Sequence, residues 1–342
     1  MIKKITPYQH LVILVFVAVG VALAVYDFQL SRKAIRPVQV FSVHEQLRLG
    51  ETIQPVPLHI ELDQDKVALG DRLYHDSRLS ADNQISCATC HDLNKGGTDQ
   101  LALSKGIGGA LGNINSPTTF NSGFHFVQFW DGRVRTLEEQ VAGPIHNPVE
   151  MGTTWPEIVA KLSRDADYPR QFAAIYPQGI TAETIADAIA VFEMSLYTPN
   201  APFDRYLRGD QSAIDADAVA GYALFRKYGC VACHQGINIG GNMYQTIGVM
   251  EDYFDHRDIS EVDLGRYNVT GQARNKFQFK VPTLRNIALT FPYLHDGSAE
   301  TLADVLRVMW NSQLGRSLDD EESRLLIAFL KTLTGEYRGR PL

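Results

Sequence analysis

The chain has 342 residues, 45% hydrophobic and 21% charged, an ordinary composition for a globular protein. Its formal charge of −7 argues against nucleic acid, which needs a basic face. The same charge permits docking of a basic electron-carrier protein, because complementary fields speed encounter.

Lys3 and Lys4 precede an uninterrupted apolar run from Leu11 to Tyr26, and Asp27, Arg32, Lys33 and Arg36 follow it. The run fits a membrane anchor or the core of a signal segment, so residues 1–30 are read as one of these. Ala22-Leu23-Ala24 offers a small-x-small cleavage pattern, but no polar region precedes it, which favours an uncleaved N-terminal apolar helix. Either way the rest of the chain is exported. Residues 31–57, basic at first and then containing Pro37, Pro55 and Pro57, read as a linker.

A helical pattern begins near Asp63. Gly70-Asp71-Arg72-Leu73-Tyr74 recurs as Gly221-Tyr222-Ala223-Leu224-Phe225, a shared Gly-x-x-Leu-aromatic phrase. Each copy precedes a Cys-x-x-Cys-His motif: Cys87, Cys90 and His91, then Cys230, Cys233 and His234. The two motifs use all four cysteines of the chain. A structural zinc site needs four ligands, and each motif offers three. A thioredoxin-like pair needs neither the histidine nor a second copy. Two covalent haem c groups fit, with thioethers from the cysteines and proximal iron ligation by His91 and His234.

Between the motifs, residues 155–197 are helical in pattern. Thr181 fits a helix cap, although Thr184 stands where a capping box has Glu or Gln. Thr198-Pro199-Asn200-Ala201-Pro202 breaks the pattern and marks a domain boundary. A polar stretch from Gly236 to Lys280 follows, then helices over 301–311 and 319–333. The predicted class is mostly α: two cytochrome c-like haem domains, 58–199 and 200–342, joined by an interface.

From Leu69 to Gly335 the sequence resembles the bacterial di-haem cytochrome c peroxidases, whose relatives include the di-haem enzymes of methylamine utilisation. The phrases that carry the resemblance are Ile85-Ser86-Cys87-Ala88-Thr89-Cys90-His91, Gln128-Phe129-Trp130-Asp131-Gly132-Arg133, Asn147-Pro148-Val149-Glu150-Met151 and Pro292-Tyr293-Leu294-His295-Asp296-Gly297. The resemblance implies a first haem that meets hydrogen peroxide, with Gln140 and Glu150 on its distal side. A carboxylate there can shuttle a proton and an amide can orient the peroxide. It implies a second haem that receives electrons from a small periplasmic cytochrome c or a cupredoxin, with Met309 as its distal ligand. Met243 and Met250 are the rival ligands. It further implies Trp130 as an electron relay and a calcium ion held by Asn115 and the carbonyls of Thr290 and Pro292. His295 is expected to be structural. Relatives suggest a homodimer.

The chain departs from the pattern at Ile107, which stands where many such peroxidases carry a histidine that plugs the first iron. Isoleucine cannot ligate iron, so the first haem is expected to rest with an open position. His125 and His146 flank the distal side, and a surface or supporting role is expected of each. Two other functions stay open: a di-haem oxidase that modifies a partner protein, and an electron-transfer cytochrome without catalysis.

Overall fold

The computed structural model describes residues 51–342. The apolar run at 11–26 lies outside the described residues, and no helix among those described is long and apolar enough to cross a membrane.

Eleven α-helices are present among the described residues. They are α1 Gln64–Tyr74, α2 Cys87–Cys90, α3 Leu137–His146, α4 Trp155–Ser163, α5 Tyr168–Ile175, α6 Ala182–Ser195, α7 Pro202–Leu207, α8 Ala216–Lys227, α9 Tyr267–Thr270, α10 Leu302–Val308 and α11 Asp320–Lys331. The strands are short. β1 Tyr244–Thr246 pairs antiparallel with β2 Gln278–Lys280, with Tyr244 opposite Lys280, and β3 Glu336–Tyr337 pairs with β4 Arg340–Pro341. The mostly α expectation holds. The closing hairpin and the strands within the stretch 236–280 had no pattern to announce them.

Helix starts follow local chemistry. The Asp63 carboxylate accepts from the backbone N–H of Asp65 and Lys66 and caps α1. At α6, Thr184 Oγ1 accepts from Thr181 N at 2.9 Å, so a threonine completes the capping box that the sequence seemed to lack.

The repeated Gly-x-x-Leu-aromatic phrase has a packing cause. α1 packs on α6, and α8 packs on α11. A β-carbon at Gly70 would overlap the carbonyl oxygen of Ala188, and one at Gly221 would overlap that of Leu325. Each helix pair therefore crosses backbone against backbone. Leu73 and Tyr74, and likewise Tyr222 and Phe225, are buried beside these crossings.

Two main apolar clusters result. One joins Leu69, Leu73, Val141, Ile158, Phe172 and Ile189. The other joins Phe203, Tyr222, Phe225, Trp310, Leu326 and Phe329. Ile53, read from sequence as linker, is 1% exposed within the second cluster. Its segment is held by backbone bonds, Gln54 N to Gly236 O at 3.2 Å and Gly236 N to Thr52 O at 2.9 Å. Residues 51–57 are thus an ordered strap, and their prolines serve a buried extended run rather than a loose spacer. At the other terminus, Tyr337 and Leu342 pack on the cluster of Tyr74, Phe120 and Phe192.

A buried ion pair ties strap to core. Arg285 and Asp204 are both fully buried and lie 2.6 Å apart. Arg285 also donates to Gln54 O at 2.8 Å and to Ile237 O at 2.9 Å. Every donor it spends here is met, which is the condition for a buried charge to be tolerated.

Candidate active site

The first Cys-x-x-Cys-His segment forms the single turn α2. Thr89 Oγ1 accepts from Ser86 N at 3.0 Å and fixes its start. Tyr74 OH donates to His91 O at 2.7 Å, which pins the histidine to α1. Cys87, Cys90 and His91 line a cavity of about 160 Å³. Gln140, from the second turn of α3, and Glu150, from the loop after it, line the same cavity. The sequence-predicted residues of the first site are therefore brought together.

Burial raises the Glu150 carboxyl above its ordinary range, partly countered by the amide of Asn147, which donates to Oε1 at 2.6 Å, and by Arg133. Asn147 Oδ1 in turn accepts from Val149 N at 3.1 Å, so the carboxyl is held by its own loop. Ile107 is absent from the cavity lining. Its backbone N–H donates to Glu150 O at 2.9 Å. Its side chain instead packs over Gly152, where a β-carbon would overlap its Cδ1. His146 is exposed and packs edge-on against Trp155, away from the cavity. His125 is half-buried and lines the cavity, which agrees with the supporting role rather than the surface role among the two expected of it.

The second motif opens at Gly229, whose φ of 79° suits glycine, and turns through Cys230–Ala232. Cys230, Cys233 and His234 line a cavity of about 420 Å³. Met309 reaches the same lining, whereas Met243 and Met250 do not, and Met250 is 62% exposed. The expected helix over 301–311 stops at Val308, and Met309–Gln313 form a π-helical turn. Such bulges re-aim side chains and concentrate at functional sites. Met309 itself keeps the helical bond from its N–H to Val305 O, and it lines the cavity together with Leu302, Val305 and Leu306.

The two cavities meet at a common wall. Trp130 lines both and donates from Nε1 to Asn115 O at 2.9 Å. Asn115 N donates to His295 O at 2.7 Å, and Lys280 N donates to Trp130 O at 2.8 Å. His295 stacks on Phe279 and bonds Asp263 at 2.6 Å, a packed and satisfied group. Asn115, Thr290 and Pro292, the expected calcium ligands, all line the second cavity.

Three further residues sit at these sites to which the sequence assigned no role. Glu193, on α6, lines the first cavity, and burial pushes its carboxyl up to about 8. Arg133 lines the first cavity with its guanidinium 3.4 Å over the Phe129 ring. Lys280 lines both cavities and is 5% exposed. A lone polar residue in an apolar stripe gives no pattern to read.

The donor chemistry of both cavities fits haem c. All four cysteines are free. Burial pushes the thiols of Cys90 and Cys230 up to about 11. Burial lowers the His91 pKa and lowers that of His234 to about 4, so both imidazoles are neutral. His91 Nδ1 lies 3.3 Å from Gly97 O, and His234 Nδ1 lies 3.3 Å from Ile239 O. These bonds select the tautomer whose Nε2 lone pair is left for iron. His125 Nε2 is buried without a partner, as expected beside a polar group that is not part of the chain.

Comparison with known proteins agrees with this chemistry. The family model described as di-haem cytochrome c peroxidase matches residues 64–212. A cytochrome c551 peroxidase of Nitrosomonas europaea is 42% identical over 84% of this chain and 85% of its own length. The chain belongs to the di-haem cytochrome c peroxidase family. The cytochrome c peroxidase Ccp of Escherichia coli is 49% identical over 84% of this chain, which spans 62% of that relative's length. A crystal structure of a MauG-like protein associated with microbial copper homeostasis matches with a TM-score of 0.72 at 30% identity, over 85% of this chain and 95% of that one. Membership in a di-haem family implies two haem c groups.

Proposed function

We propose that this chain reduces hydrogen peroxide to water with two electrons from a small donor protein, a cytochrome c or a cupredoxin. The observation that carries the reading is the first cavity, where Glu150 and Gln140 stand with Cys87, Cys90 and His91. When bound, the haems supply the redox centres and the Lewis acid for this chemistry. Glu150 takes the proton from the near oxygen of peroxide and returns it to the far oxygen, so that the O–O bond breaks with water as the leaving group. Gln140 orients the peroxide through its amide. Two protons from solvent and the two electrons complete the second water. The raised Glu150 pKa brings its proton affinity closer to that task.

Met309 is the proposed distal ligand of the second haem, where thioether ligation raises the reduction potential and suits electron entry. Trp130, in the wall between the cavities, is the proposed relay. Asn115 Nδ2 donates to Leu101 O at 3.0 Å, which turns its Oδ1 free for a hard cation with the carbonyls of Thr290 and Pro292, and calcium fits such oxygens. The domain division falls at 199/200, one haem to each side. Covalent haem attachment and the apolar run at 11–26 support a periplasmic enzyme, anchored or released, and a homodimer is its proposed assembly.

Ile107 makes the deciding experiment sharp. Oxidised protein is mixed with peroxide and a reduced small cytochrome c, with and without prior reduction of one haem. Equal and immediate turnover in both supports the peroxidase with an open first site. Turnover only after reduction defeats the open-site reading and directs attention to His125, which lines the cavity. No peroxide-dependent oxidation in either state favours a partner-modifying oxidase or a plain electron carrier.

A further inference from the structure

Asn115, His125, Trp130 and Lys280 belong to the lining of both cavities. Among these four, Lys280 alone is a permanent candidate for positive charge. It is 5% exposed and ends β2, opposite Tyr244. Among the described residues no ion pair or hydrogen bond of its ammonium is found. Burial alone pushes its pKa, down to about 8. Beside it, His125 Nε2 is buried and unpartnered, and burial together with Lys280 holds that imidazole neutral. A buried ammonium without a counter-charge is costly and is kept where an anion meets it. Haem brings such anions in its propionate carboxylates.

We propose that Lys280 is a shared counter-cation for the propionates of both haems, and that it holds the potentials of the two irons up together. The inference rests on the two-haem reading above. A cation in a low-dielectric wall favours the reduced iron, whose charge is less positive, and it acts on both sides of the wall. The pairing also explains why one lysine can stay buried between two apolar cavities.

The test uses the full-length protein with both haems attached. Lys280→Met keeps the length and loses the charge; Lys280→Arg keeps the charge. Intact mass first counts the attached haems, so that a failure of the two-haem reading is read separately. Spectroelectrochemical titration then follows each haem. The expected result is a fall in both midpoint potentials in Lys280→Met and little change in Lys280→Arg. A fall at one haem only, no fall at either, or an equal fall in Lys280→Arg overturns the shared role. Should Lys280→Met not retain both haems, a crystal structure of the wild-type holoprotein decides. Nζ within hydrogen-bond distance of propionate oxygens from both haems supports the proposal, and contact with one haem or none overturns it.

Discussion

Glu150 is the residue on which the proposed chemistry turns. Its carboxyl is desolvated by the cavity, and the Asn147 amide and Arg133 pull in the opposite direction. As a proton acceptor it must be ionised, so turnover should fall as pH drops through a value above the ordinary carboxylate range. Glu150→Gln should lower kcat by about 10²–10⁴-fold, the usual worth of general acid–base catalysis, and abolish that acidic limb. A pH–rate profile of the variant checks both. The haem-binding turn and the Glu150 loop could be read from short phrases because each is a local segment that carries its own geometry. Met309 could be chosen only by resemblance, since it lines the cavity on the same helix stripe as the apolar Leu302, Val305 and Leu306, and spacing does not tell a ligand from its neighbours. For the same residue, Met309→Ala should lower the potential of the second haem and open its sixth position, visible in a redox titration and in the absorption spectrum.

At the scale of elements, two helix crossings carry the architecture. Gly70 and Gly221 each face a carbonyl oxygen of the partner helix. Gly70→Ala or Gly221→Ala should cost about 1–3 kcal/mol by forcing the pair apart, as overpacking does, and denaturant unfolding of the holoprotein measures it. Arg285→Met should cost more, about 3–5 kcal/mol, because it takes the ion-pair partner at 2.6 Å from an Asp204 carboxylate that has no exposure. Chain order in the sequence announced these helices well, as the caps at Asp63 and Thr181 illustrate. It failed at the strap of residues 51–57, where proline spacing reads the same for a loose spacer and for a buried extended segment. What distinguishes the two is a partner more than a hundred residues away, at Asp204, Gly236 and Arg285.

For the described part of the molecule, the two clusters are cross-tied. The strap seats Ile53 in the second cluster, and the closing hairpin lays Tyr337 against Phe120 of the first half, with ring centroids 5.1 Å apart. Thr198 adds a third tie, since Asn121 Nδ2 donates to its Oγ1 at 2.8 Å and Asn286 Nδ2 at 3.2 Å. Residues 51–342 should therefore unfold in one cooperative transition, with fluorescence and haem absorbance moving together. Two resolved transitions would show that the halves are independent. The two haem motifs were legible because each is a short local phrase; the ties were not, because they depend on pairs remote in the chain.

The seam between the halves is written twice with different letters. Gln128-Phe129-Trp130-Asp131-Gly132 and Tyr293-Leu294-His295-Asp296-Gly297 share their backbone course: φ is 67° at Phe129 and 72° at Leu294, and 65° at both glycines. The reciprocal bonds, Asn115 N to His295 O and Lys280 N to Trp130 O, use main-chain atoms alone. A joint stitched by the main chain leaves its side chains free to differ. One side carries an indole and a neutral amide at Trp130 and Asn115, the other an imidazole and a lysine at His295 and Lys280, so like bonds join unlike faces.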